Sequence, residues 1–138
     1  MLIEARPALD PELGALVAAQ QREGGQGFAP DDRTAYFVAV VDGRAVGCGA
    51  WRPLPPVGVA ELNRLYVRPA FRGRGIARQM IVAIEEEALA AGRPVLRLTA
   101  GASSPTANAL FQSSGYHRVP SADPALARWE KRLAALVQ

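Results

Sequence analysis

The stretch Arg68-Pro69-Ala70-Phe71-Arg72-Gly73-Arg74-Gly75-Ile76-Ala77 gathers the residue types that hold a compact anion. A glycine-rich turn entering a helix offers backbone N–H groups that have no internal partner and sit at the positive end of the helix dipole. Glycine lets those groups approach a phosphate closely. Arg64, Arg68, Arg72, Arg74 and Arg78 surround the turn, while the other basic residues are scattered. That clustering suits a pyrophosphate better than a long nucleic acid. Two other phosphate-binding patterns do not fit. A P-loop ends in Gly-Lys-Ser/Thr, and a dinucleotide fingerprint needs a third glycine or alanine where Arg78 stands. Taken alone, the glycine pair can also be a plain helix entry, so its flanks decide its weight.

Such a turn works only if a strand delivers it and a helix leaves it. Val59 to Val67 mixes apolar and polar positions as a strand does, and Pro69 closes it. From Gly75 to Ala91 the residues Ala77, Ile81, Ile84, Ala88 and Ala91 share one helical face, with Gly92 and Pro94 as the stop. Val95 to Thr99 makes the next strand. Ser104-Pro105 then opens a helix that ends at Gly115, and Tyr116 to Val119 returns as a strand. Upstream, Met1 to Arg6 reads as a strand. Asp10 caps and Pro11 opens a helix with Leu13, Leu16 and Val17 on one face, ended by Gly24-Gly25. Ala35 to Val41 and Arg44 to Trp51 form a hairpin around Asp42-Gly43. Pro53-Leu54-Pro55-Pro56 reads as a loop. After Asp123-Pro124, the residues Leu126, Trp129, Leu133, Leu136 and Val137 have helical spacing by pattern alone. The order predicts one α/β domain, residues 1–138, with a mixed sheet.

Composition narrows the function classes. The 138 residues, 49% hydrophobic and 21% charged, fit a globular domain, and no apolar run reaches the roughly 20 residues that span a bilayer. The N-terminus has no basic stretch followed by an apolar core, so a cytoplasmic location is expected. Cys48 sits in an apolar run and reads as a small buried side chain rather than a nucleophile. His117, the single histidine, has no partner spaced for a triad, and no metal site is expected. Trp51 and Trp129 read as core or groove aromatics. The net charge of +3 alone does not make a nucleic-acid binder, because no recognition helix or stacking motif accompanies it. No nucleic acid or membrane partner is expected.

The segment Glu61-Leu62-Asn63-Arg64-Leu65-Tyr66-Val67 and the turn after it, through Ala77, closely resemble the signature of the GNAT N-acetyltransferases, including its Arg/Gln-x-x-Gly-x-Gly/Ala core. Leu96 to Thr99 and Ala109-Leu110-Phe111-Gln112-Ser113-Ser114-Gly115-Tyr116 look like the family's next strand and its Leu-Tyr-x-x-x-Gly-Phe/Tyr segment. The hairpin from Phe37 to Gly49 is similar, though less specific.

The resemblance implies a mixed, mostly antiparallel sheet splayed between its two central strands, with acetyl-CoA as cosubstrate and its pantetheine arm in the gap. It also implies an extended segment from Ala125 to Leu133, against the helical spacing there. Leu65, Tyr66 and Val67 would pair with the pantetheine through their backbones, and the amide of Leu65 or Val67 would polarise the thioester carbonyl. The pyrophosphate would lie on Arg72, Gly73, Arg74, Gly75, Ile76 and Ala77. Ser104 stands where many members carry a coenzyme-binding asparagine, and Asn108, one turn on, reaches the same groove. Glu61 matches a glutamate that serves some members as general base; its bland alternative is a solvated carboxylate paired with Arg64 or Arg97. Phe111 replaces the usual tyrosine acid and lines the coenzyme site. That departure keeps a non-catalytic acyl-CoA-binding or sensor domain as the alternative. Tyr116 aligns with an aromatic that normally packs in the family, and neither it nor Tyr66 is expected to be catalytic. The expected acceptor is a small-molecule amine, walled in part by Gln20 to Asp32. The resemblance leaves a homodimer open.

Overall fold

The computed structural model describes residues 1–24 and 33–133. The chain begins with β1 (Leu2–Arg6) and α1 (Pro11–Arg22). Asp10 caps α1 by accepting the Leu13 N–H at 3.0 Å, and Pro11 stands where no N–H is needed. That amide bond, with help from Arg6, holds the Asp10 carboxyl below its usual range. Next come β2 (Ala35–Val41) and β3 (Arg44–Leu54), joined by Asp42 (φ 52°) and Gly43 (φ 76°) in the left-handed pair of a tight hairpin turn. β4 (Val59–Val67) leads through a 3₁₀ turn at Pro69–Phe71 into α2 (Ile76–Ala90). β5 (Val95–Gly101), α3 (Pro105–Ser113), β6 (His117–Val119) and β7 (Leu126–Arg132) complete the domain.

The strands form one open sheet in the order β1-β2-β3-β4-β5-β7-β6, and every neighbouring pair is antiparallel except β4 with β5. This is the α/β GNAT-like architecture that the resemblance implied. The parallel pair is short: Val59, Ala60 and Glu61 meet Val95, Leu96 and Arg97, and β4 then runs on to Val67 without β5. The cause lies on the other side of β4. Asn63 pairs with Ala50 and Tyr66 with Cys48, so Arg64 and Leu65 together oppose the single residue Gly49. This is a β-bulge, with Arg64 at φ 56°, and a bulge bends its strand and increases the local twist. It also flips the alternation. Ala60 and Leu62 face the α2 side before the bulge, Leu65 and Val67 face it afterwards, and Tyr66 turns toward α1.

Two apolar layers hold the sheet. Met80, Ile81, Ile84 and Ala88 of α2 pack on Leu62, Leu96 and their neighbours, while Leu13, Leu16 and Val17 of α1 pack on Tyr36, Val38, Cys48 and Ala50. α1 lies over β3 and β4. On β5 and β7, Leu96, Leu98, Ala127 and Trp129 turn to the core, so Arg97, Thr99, Arg128 and Glu130 fall on the opposite face by alternation.

Two expectations are corrected or decided here. Pro53-Leu54 is not loop: β3 continues through it, with Pro53 opposite Ala60 and Leu54 opposite Val59. The β2 pairing ends at Trp51, so Pro53 falls where the strand has one neighbour, and proline is tolerated there. The C-terminal segment is a strand, as the resemblance implied and its helical spacing did not. Ala127, Trp129 and Leu133 also satisfy a period of two, and pairing with both β5 and β6 selects it. Among the described residues no helix is long and apolar enough to cross a membrane. Because α2 holds the glycine turn against the sheet, Ile84→Ala, at a fully buried position, is expected to cost about 2–5 kcal/mol in urea denaturation. A cost within experimental error would show that this contact does not anchor α2.

Candidate functional site

Gly73 and Gly75 both take φ 79°, and Gly75 caps α2 in the left-handed conformation. No atom lies within 4 Å of where a Cβ would stand on either residue, so conformation requires glycine here and the space beside them is open. Unlike α1 and α3, α2 has no capping side chain. Its first backbone bond runs from Gln79 N–H to Gly75 C=O, so the amides of Ile76, Ala77 and Arg78 have no acceptor within the helix. The Ile76 side chain is buried and fixes the helix start, while Arg74 is exposed with its guanidinium 5.0 Å from the Phe71 ring centre. Arg78 donates to Ser113 Oγ at 2.7 Å, tying this end of α2 to the end of α3.

The gap between β4 and β5 opens beside that turn. Arg68 N–H bonds Val46 C=O at 2.8 Å, so by strand alternation the N–H and C=O of Val67 point away from β3, toward the gap. Arg72 Nε donates to that Val67 carbonyl at 2.8 Å, and Gln20 Nε2 donates to the Leu65 carbonyl at 3.2 Å. The Arg72 guanidinium also bonds Glu23 at 2.8 Å and lies 5.5 Å from the centre of the Tyr66 ring. The Tyr66 hydroxyl donates to the same Glu23 carboxylate. These two donors, Tyr66 first, hold Glu23 below its usual range, while burial and then Glu23 push the Tyr66 phenol up. The last turn of α1 is thereby fastened to the glycine turn.

Across the gap, Ser104 Oγ accepts the Ala107 N–H at 3.2 Å and so serves as the cap of α3. Asn108 Nδ2 donates to the Ala102 carbonyl at 3.1 Å, but its Oδ1 is buried without a partner among the described residues. Phe111 is 6% exposed and packs edge-on to Tyr116 and tilted against Trp129, which puts its ring in the core. The Tyr116 hydroxyl donates to Glu85 at 2.8 Å, and burial, then Glu85, drives its phenol far up. Neither aromatic offers a proton at the gap.

Glu61 stands where β4 and β5 part. Its Oε1 accepts from Arg52 Nε at 2.8 Å and from Asn63 Nδ2 at 3.1 Å. The expected ion-pair partners, Arg64 and Arg97, are not the ones used. The β3–β4 register sets Arg52 directly across from Glu61, and Arg97 bonds Glu130 of β7 at 2.8 Å. Both bonds fall on Oε1, leaving Oε2 without a partner among the described residues. Glu61 lines a shallow recess of about 70 Å³ with Leu54, Arg97, Thr99, Val119 and Arg128. Of the expected acceptor wall, Gln20 to Gly24 is described and 25–32 lies outside the described residues. Among the described residues no group of His, Cys, Asp or Glu is arranged to hold a metal.

Against known proteins, the sequence profile described as the Acetyltransferase (GNAT) family matches residues 5–116. The chain belongs to the GNAT acetyltransferase family. An IAA acetyltransferase of Azospirillum brasilense is 39% identical over 87 residues, covering 63% of this chain and 56% of the relative. The curated relatives matched are thus spanned over about half their length or less. Among solved structures, a putative acyl-CoA N-acyltransferase of Klebsiella pneumoniae superposes with TM-score 0.83 at 28% identity, covering 96% of this chain and 97% of that one. A PaiA N-acetyltransferase of Thermoplasma acidophilum, solved in complex with coenzyme A, shares the fold with TM-score 0.76 at 17% identity, covering 96% and 99%.

The structure sets Glu61, the Leu65 to Val67 backbone and the glycine turn along β4 and its exit, leaves Asn108 on α3, the helix after β5, and turns Phe111 inward. Sequence reasoning missed Arg52, and it named Gln20 and Glu23 only within the acceptor wall, not as partners of Leu65, Tyr66 and Arg72. Extending the hairpin register through Pro53 would have found Arg52; no local signal marks the partners of the other two. Cys48 is fully buried, its thiol pushed up to about 12 by burial, and it donates to the Arg64 carbonyl. A maleimide is therefore expected to label the native protein negligibly near neutral pH and the urea-unfolded protein fully. Rapid native labelling would contradict this burial.

Proposed function

We propose that the protein is an N-acetyltransferase that transfers the acetyl group of acetyl-CoA to a primary amine of a small molecule, by direct attack in a ternary complex. The observation that carries this reading is the unpaired β4–β5 gap, which connects the uncapped amides of α2 to Glu61. Acetyl-CoA supplies an acetyl group on a thioester. The family membership and the related fold solved with coenzyme A support that choice, as do the open space at Gly73 and Gly75 and the unpartnered Asn108 Oδ1.

The amides at the start of α2, with Arg72, Gly73, Arg74 and Gly75, bind the pyrophosphate through their dipoles and charge. Ile76 and Ala77 contribute backbone only. The open-edge N–H groups of Leu65 and Val67 and the Asn108 side chain hold the pantetheine, with Ser104 beside them as helix cap; the Tyr66 N–H and C=O face β3 by the same alternation and are not used. The Val67 N–H, directed at the gap, is the donor for the negative charge that develops on the reacting carbonyl oxygen.

An alkyl ammonium with pKa near ~10 must lose a proton before it can attack. Glu61 takes that proton, directly or through a water; the Arg52 and Asn63 bonds to Oε1 hold it and leave Oε2 without a partner among the described residues. With Phe111 apolar and Tyr116 committed to Glu85, neither aromatic serves the departing sulfur as an acid. A thiol with pKa about 8.5 leaves adequately as thiolate. The same two residues favour the second reading, a domain that binds acyl-CoA without transfer.

Calorimetric titration with acetyl-CoA, followed by a free-thiol assay against a panel of amines, separates the readings. Binding with amine-dependent release supports transfer, binding without release supports the second reading, and no binding removes both. Glu61→Gln is expected to lower kcat by about 10²-fold or more while coenzyme affinity stays within about twofold. An unchanged rate would leave Glu61 a structural role. Arg72→Glu is expected to weaken acetyl-CoA binding more than about tenfold, with Arg72→Gln milder because it keeps a donor and adds no negative charge. Equal affinity in all three proteins would move the pyrophosphate elsewhere.

A further inference from the structure

The recess beside Glu61 carries more positive charge than proton abstraction requires. Its charges come from neighbouring strands and resolve into pairs. Arg52 of β3 holds Glu61 of β4 at 2.8 Å, and Arg97 of β5 holds Glu130 of β7 at 2.8 Å. Arg128 of β7 remains. It lines the same recess, and its one bond among the described residues is to the Pro120 carbonyl at a long 3.4 Å, with no carboxylate partner. After pairing, the recess therefore keeps one positive unit, on a side chain whose remaining donors are free to bind in fork geometry.

Geometry places that charge at the far side of the reacting position. Glu61 is on β4, Arg97 pairs with it on β5, and Arg128 stands on β7 opposite Thr99. Two strand spacings, roughly 10 Å, separate the backbones of β4 and β7. Both side chains line one recess of about 70 Å³, so a small molecule seated there can touch both. Leu54 and Val119 give the recess apolar walls. An amine at Glu61 and an anion at Arg128 would complement both ends.

Resting on the transferase reading, we infer that the acceptor is a free amino acid, its amine directed to Glu61 and its carboxylate bound by Arg128. A carboxylate carries the single negative charge that matches Arg128, which has no carboxylate partner among the described residues; a phosphate would bring nearly two. Thr99, exposed and directly across the β5–β7 ladder from Arg128, is placed to add a hydroxyl to the carboxylate. Arg128 is then a specificity-determining residue that touches the acceptor and takes no part in proton transfer.

The test measures thiol release with the proteinogenic amino acids. Ethylamine, isoamylamine and phenethylamine serve as decarboxylated counterparts of alanine, leucine and phenylalanine, and O-phosphoethanolamine as the phosphate-bearing amine. The expected result is release with one or more amino acids, at a kcat/KM at least about tenfold above that of the matched amine. Arg128→Gln should raise KM for the amino acid about tenfold, collapse its advantage over the matched amine and leave KM for acetyl-CoA unchanged; Arg128→Lys should restore part of the advantage. Titrating the amino acid into the CoA-loaded protein should show the same loss of affinity in Arg128→Gln without any turnover. Equal or better use of the plain amines, or of O-phosphoethanolamine, overturns the inference and leaves the transferase reading standing. So does an Arg128→Gln that slows both members of a pair alike. Acetyl-CoA binding without release from any acceptor overturns both.

Discussion

Everything in this site depends on a ladder that stops. β4 and β5 share three residues of parallel pairing and then part, because the bulge at Arg64 and Leu65 bends β4. A ladder left open inside a protein exposes N–H and C=O groups that must find other partners. Here the two carbonyls on the open edge of β4 are taken by side chains, Leu65 by Gln20 and Val67 by Arg72. Acceptors are thereby satisfied while the Val67 N–H stays available, which is the polarity needed to stabilise negative charge on a substrate oxygen. The same bulge moves Tyr66 to the α1 side, where Glu23 can hold both it and Arg72.

The chain divides the work between backbone and side chains. In the proposed site, anion binding at the start of α2 would use amides and dipole, so glycines at 73 and 75 matter for their φ angles and the surrounding arginines for charge. Arg72 is partly committed to structure, since it closes the end of β4 and ties α1 to the turn. The proposed proton acceptor, Glu61, is a carboxylate held by two donors on a single oxygen. The aromatic positions that might have supplied an acid are packed in the core or bonded to Glu85, and Glu85 is bridged by Lys131 to β7. That part-buried cluster holds α2 to the C-terminal half of the sheet.

Local signals carried most of the fold. The caps at Asp10 and Ser104, the Asp42-Gly43 turn, the α2 face through Ile81, Ile84 and Ala88 and the stop at Gly92 each rest on a few adjacent residues, and each is found in place. Pro53 misled because proline's missing N–H matters only where a second neighbour needs it. The C-terminal strand has residues that suit either period, so pattern alone favoured the wrong one, and two flanking strands chose the other.

By itself, the sequence determined the glycine-rich entry to α2 and the place of Glu61 on β4 as the candidate site residues, because glycine conformation, helix-end dipoles and carboxylate chemistry belong to short segments. Only the tertiary structure decided what those groups meet. Arg52 rather than Arg64 or Arg97 holds Glu61, Arg97 goes to Glu130, Arg128 is left over at the recess and Phe111 turns into the core. Each of these follows from register between strands far apart in sequence, and one inserted residue at a bulge is enough to exchange every side chain beyond it from one face to the other.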